Sequence, residues 1–116
     1  FKKIINFMGP INMVGYDWSV WGAQSPQHKQ IVEQAKAYFA KTSDPYQLAQ
    51  QGVYDSLGER MLLLYGEKDP ICPPERMCIP FVTRSGALFM IFQGASHNVH
   101  RLSDAQEISM IWMAKK

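Results

Sequence analysis

The chain has 116 residues, with 12 Lys plus Arg against 10 Asp plus Glu and a formal charge of +2 at pH 7. Hydrophobic residues make up 47% and charged residues 19%, an ordinary globular composition for one small domain. Near-neutral charge gives no footprint for nucleic acid, and the longest apolar runs, Met61–Tyr65 and Ala87–Phe92, fall far short of the roughly 20 residues that span a bilayer. With no signal-peptide pattern after Phe1-Lys2-Lys3, a cytoplasmic protein is expected, with neither nucleic acid nor a membrane as partner.

In chain order, Lys3–Met8 reads as a strand closed by Gly9-Pro10. Residues 9–25 read as an irregular, aromatic-rich stretch. Ser25 as N-cap and Pro26 in the first turn then open a helix. Its apolar positions Ile31, Val32, Ala35, Tyr38 and Phe39 share one face, and it ends near Lys41. The charges Lys29, Glu33 and Lys36 make a solvated face, and His28 lies on an exposed one. Asp44-Pro45 repeats the cap-then-proline signal for a shorter helix through about Tyr54, with a polar face of Gln47, Gln50 and Gln51.

The run Arg60–Tyr65 reads as a strand buried on both faces, as in a parallel sheet covered by helices. Glu67–Pro70 is a turn. Pro74 to about Arg84 reads as one helix stopped by Ser85-Gly86, and Ala87–Phe92 as a second buried strand. The last helix starts at Ser103, with Gln106 completing a capping box. Ile108, Ile111 and Trp112 supply its buried face, and Lys115-Lys116 complement its dipole. Met61, Met77, Met90 and Met110 fall in apolar patterns and are assigned to the core. This alternation predicts an α/β architecture of three parallel strands joined by crossover helices.

Parallel strands place their C-terminal ends on one sheet edge, where the functional groups of open α/β sheets gather. Asp69 follows the second strand and His97 the third, so an acid and an imidazole are expected in one crevice. Such an Asp fixes the imidazole tautomer and stabilises the imidazolium formed when His takes a proton from a nucleophile. His100 reads as a polar residue leading into the last helix, because His-x-x-His without further donors is a weak metal signal. Cys72, three residues after the acid, reads as a packed side chain, and Cys72 and Cys78 as unpaired thiols without metal-ligand spacing.

The segment Leu62-Leu63-Leu64-Tyr65-Gly66-Glu67-Lys68-Asp69-Pro70, followed by Pro73-Pro74-Glu75, resembles the acid-bearing segment of α/β-hydrolases. Gly94-Ala95-Ser96-His97-Asn98 resembles their histidine loop, and the interval between the two looks like that family's. The resemblance covers residues 60–116 well and extends more weakly to Phe1–Asn12, which looks like the strand after the nucleophile's helix. It implies a partial α/β-hydrolase fold: a strand in 1–12, a helical lid insertion in 13–58, and an acid-and-histidine βαβα segment in 59–116. It also implies Asp69 as triad acid and His97 as general base, an ester or related carbonyl substrate, and no metal or organic cofactor. Trp18, Trp21, Tyr16 and Met13 either line an apolar substrate pocket under the lid or pack the lid on the sheet.

One departure matters. The family's Gly-x-Ser-x-Gly elbow occurs nowhere in these residues. Together with the non-Met start and the domain-interior character of Lys3–Phe7, this leads to the expectation of a C-terminal fragment, inactive alone and partnered by a missing N-terminal half. The competing expectation is a non-catalytic remnant or pseudoenzyme that binds a partner or self-associates as a homo-oligomer through its unpaired Lys3–Met8 edge.

Overall fold

The structure, a computed structural model, describes residues 3–22 and 26–115. Three strands, β1 (Ile4–Phe7), β2 (Met61–Gly66) and β3 (Leu88–Phe92), form one parallel sheet in the order β1-β2-β3. Ile4 pairs with Met61 and Leu62 with Leu88, which sets the register across the sheet. The architecture is α/β, as the alternation of elements predicts.

β2 lies between two apolar layers because both of its faces are hydrophobic. Met61, Leu63 and Tyr65 join Ile11, Met13, Ala49, Met77 and Phe81 on one side. Leu62 and Leu64 join Val99, Ala105, Ile108 and Trp112 on the other. Each fully buried Leu contributes about 1.5–3 kcal/mol relative to an exposed one, so this strand is the main anchor of the fold.

Six helices flank the sheet among the described residues: α1 (Ser19–Gly22), α2 (Pro26–Lys41), α3 (Pro45–Gln50), α4 (Pro74–Met77), α5 (Ile79–Ser85) and α6 (Ser103–Ala114). The bounds of α2 match the expectation, whereas its expected cap, Ser25, lies outside the described residues. Val32 is buried in α2, but Ile31 and Tyr38 of the same apolar stripe are exposed. The short helix α1 interrupts a stretch expected to be irregular.

At α3 the Asp44 carboxylate accepts from the Gln47 N–H, and the Gln47 side chain accepts from the Asp44 N–H, a complete capping box. This helix ends earlier than Tyr54, because the chain turns at Gly52 with φ +86°, a conformation that suits glycine.

Four expectations need correction. The helix expected over Pro74–Arg84 is two helices, broken at Cys78. Pro80 has no N–H to offer the Arg76 carbonyl and its ring crowds that group, so one continuous helix cannot form. Secondly, β3 is an edge strand: Leu88, Phe89 and Met90 are exposed, so Met90 is not core. Thirdly, Ser103 is already helical and makes no capping box. The Gln106 side chain donates instead to the His100 carbonyl at 3.0 Å. Lastly, α6 buries Ala105 and Ser109 while Met110 and Ile111 face solvent. Lys3 supplies the cation at the C-terminus of α6, its Nζ donating to the carbonyls of Trp112 and Lys115.

Candidate functional site

The turns after β2 and β3 are tied together at the C-terminal edge of the sheet. The N–H of Glu67 donates to the Phe92 carbonyl at 3.0 Å and that of Lys68 to Ala95 at 2.9 Å. In the other direction, the N–H of Gly94, at φ +75°, donates to the Glu67 carboxylate at 2.7 Å. Gly66 lets the two turns touch. A Cβ built on it would stand 2.1 Å from the Ser96 carbonyl oxygen and 2.6 Å from that of Ala95, both backbone atoms.

This arrangement brings Asp69 and His97 together. Oδ2 of Asp69 lies 2.7 Å from Nδ1 of His97. The Asp69 side chain is fully buried, while the His97 ring is 28% exposed. Oδ1 of Asp69 accepts from the N–H groups of Ile71 at 2.8 Å and Cys72 at 2.9 Å. Burial works to raise the carboxyl, but the His97 bond and the two backbone N–H bonds outweigh it and hold the group below the usual carboxylate range. An ionised carboxylate only accepts hydrogen bonds, so Nδ1 carries the proton and Nε2 of the neutral ring keeps its lone pair. The pair is therefore arranged so that Nε2 can take a proton while Asp69 stabilises the resulting imidazolium.

No family model, curated protein or solved structure matches the chain. The candidate site therefore stands on its own geometry.

Cys72 lies beside this pair, and donor atoms of Asp69, Cys72 and His97 fall within 4.8 Å of one another, close enough to hold a metal ion. The sequence spacing gave no hint of this cluster. Its chemistry fits a metal poorly. Both Asp69 oxygens already accept hydrogen bonds, and burial, reinforced by the Asp69 charge, pushes the Cys72 thiol up to about 12. A metal takes the thiolate form. Cys78, likewise buried and unpaired, is also pushed up to about 12 by burial.

The four residues considered for substrate contact separate. Tyr16 and Trp18, in edge-to-face contact with ring centroids 5.3 Å apart, line a cavity of about 700 Å³ against Lys29, Val32 and Lys36 of α2. Met13 is a core residue, its N–H held by Asp44 Oδ2 at 2.6 Å. Trp21 belongs to α1, and its side chain lies outside the described part of the structure. His28 and His100 are both exposed.

Sequence reasoning missed Arg76 and Met77. The Arg76 guanidinium lies 5.7 Å from the Tyr16 ring centroid and donates to the carbonyls of Asn12 at 2.9 Å and Val14 at 2.5 Å. The Met77 sulfur accepts from the N–H groups of Ile11 and Asn12. These contacts join residues 60 or more positions apart, and no local pattern encodes them.

Proposed function

We propose that the chain supplies the acid and the base of a serine hydrolase of the α/β-hydrolase type, acting on an ester or related carbonyl substrate. The observation that carries this reading is the 2.7 Å contact between Asp69 Oδ2 and His97 Nδ1, with Asp69 buried and His97 part exposed. His97 acts first as base, taking the proton of the nucleophile at Nε2, and then as acid, delivering it to the leaving group. Asp69 holds the tautomer and the ring plane.

The nucleophilic serine comes from a partner segment outside these 116 residues, the N-terminal half of the same domain, and residues 13–58 serve as its lid. The side of β1 away from β2, unpaired among the described residues, suits that half. Next to it, an apolar cavity of about 360 Å³ is lined by Ile4, Pro10, Ile11, Tyr54, Leu63 and Phe81, a surface that an adjoining strand and helix would cover.

The test pairs intact mass with turnover of a p-nitrophenyl ester. A 13.3 kDa species without turnover, gaining activity when mixed with the N-terminal half and losing it on His97→Ala, is the expected result. Full turnover that survives His97→Ala would overturn the reading.

A second, non-catalytic reading draws on β3, which carries Leu88, Phe89 and Met90 exposed on a sheet edge without a charge or proline. Such an edge favours self-association. Sedimentation showing a stable homo-oligomer with no turnover in any mixture would favour it over the hydrolase reading.

A further inference from the structure

We propose that Tyr16 is a positioning residue for the acid–base pair, acting through the peptide group that joins Ile71 to Cys72. This rests on the roles given above to Asp69 and His97.

The Tyr16 hydroxyl donates to the Ile71 carbonyl at 2.5 Å. That carbonyl and the Cys72 N–H belong to one peptide group, and the N–H donates to Asp69 Oδ1 at 2.9 Å. The other carboxylate oxygen meets His97 Nδ1 at 2.7 Å. Tyr16, the 71–72 peptide, Asp69 and His97 thus form one hydrogen-bonded chain. A donor on a peptide carbonyl polarises the group and strengthens its N–H as a donor in turn. The hydroxyl therefore fixes the plane of the peptide that orients the carboxylate, and with it the His97 ring.

The segment bearing Tyr16 is itself held. Arg76 binds the carbonyls of Asn12 and Val14, and Met77 accepts from Ile11 and Asn12. The same Tyr16 ring walls the cavity against α2. Whatever occupies that cavity and shifts Tyr16 also shifts the acid, so the cleft and the proton-transfer pair are coupled through one side chain.

The experiment follows the His97 Nδ1–H resonance in the isotopically labelled full chain, without substrate. Tyr16→Phe keeps the ring against Trp18 and Arg76 and removes only the hydroxyl. Losing one hydrogen bond in the chain is expected to speed exchange of that proton with water about threefold to tenfold. Tyr38→Phe, at an exposed tyrosine, should leave it unchanged. Where Tyr16→Phe fails to fold by circular dichroism, Arg76→Met decides, because it loosens the same segment and should also speed exchange. Unchanged exchange in the deciding variant overturns the inference, as does an equal change in Tyr38→Phe. Since no turnover is read, a chain inactive in every mixture counts against the proposed function and leaves this result standing.

Discussion

Gly66 and Ser96 are in backbone contact so close that no side chain fits between them: a Cβ on Gly66 would lie 2.1 Å from the Ser96 carbonyl oxygen. The obstacle is another stretch of the same backbone and cannot rotate away. His97 is the next residue, so the spacing of the acid and base turns depends on this glycine. Gly66→Ala should destabilise the chain by about 1–3 kcal/mol, the usual cost of overpacking. It should also widen the separation of Asp69 and His97. Urea unfolding reads the first effect and the His97 ring resonances the second.

Asp69 gives the fold an acid-sensitive element. A carboxyl held lower in the folded chain than in the unfolded one adds stability above its ordinary value near 3.9, and that stability is lost as pH falls through the lower folded value. Asp69→Asn should therefore lower the urea midpoint at pH 7, and the gap from wild type should narrow below about pH 4. A gap that stayed constant from pH 7 to pH 3 would contradict this account.

The two thiols should be inert in the folded chain. Both are buried and pushed up to about 12, so almost no thiolate exists at pH 8. Iodoacetamide at that pH should add no mass to the native protein and two carbamidomethyl groups after denaturation. Rapid native modification at Cys72 would show that the Asp69 turn opens readily.

Asp44 serves two segments at once. Oδ1 caps α3 through Gln47, and Oδ2 holds the Met13 N–H. Asp44→Ala removes the cap and leaves a buried N–H unpaired, an expected loss of about 2–4 kcal/mol. Asp44→Asn keeps one acceptor oxygen and should recover roughly half. Equal losses from the two substitutions would show that only the charge matters.

The readable parts of this sequence are those that local chemistry settles. β2 announces itself because six consecutive residues are buried between two layers, and α3 because Asp44, Pro45 and Gln47 are a complete start signal. Asp69 and His97 are legible as a pair because parallel strands send their following turns to the same edge. β3 is harder: an apolar run looks the same whether strands flank it on both sides or on one, and among the described residues β3 has only β2 beside it. The break at Cys78 was available from Pro80. The Tyr16–Ile71 and Arg76–Val14 contacts were not, since each joins residues more than 50 positions apart with no periodicity linking them.

The sheet register also orders events in time. Among the described residues β1 pairs only with β2, and Ile4 must wait for Met61, whereas β2 and β3 are separated by a much shorter crossover. Closing the longer loop costs more entropy, so β2 and β3 are expected to associate before β1 docks. Substitutions in Ile4–Phe7 should accordingly speed unfolding and leave the refolding rate nearly unchanged. During synthesis the asymmetry is sharper: of the three strands β1 is made first, yet its partner β2 follows only after the whole of α1, α2 and α3.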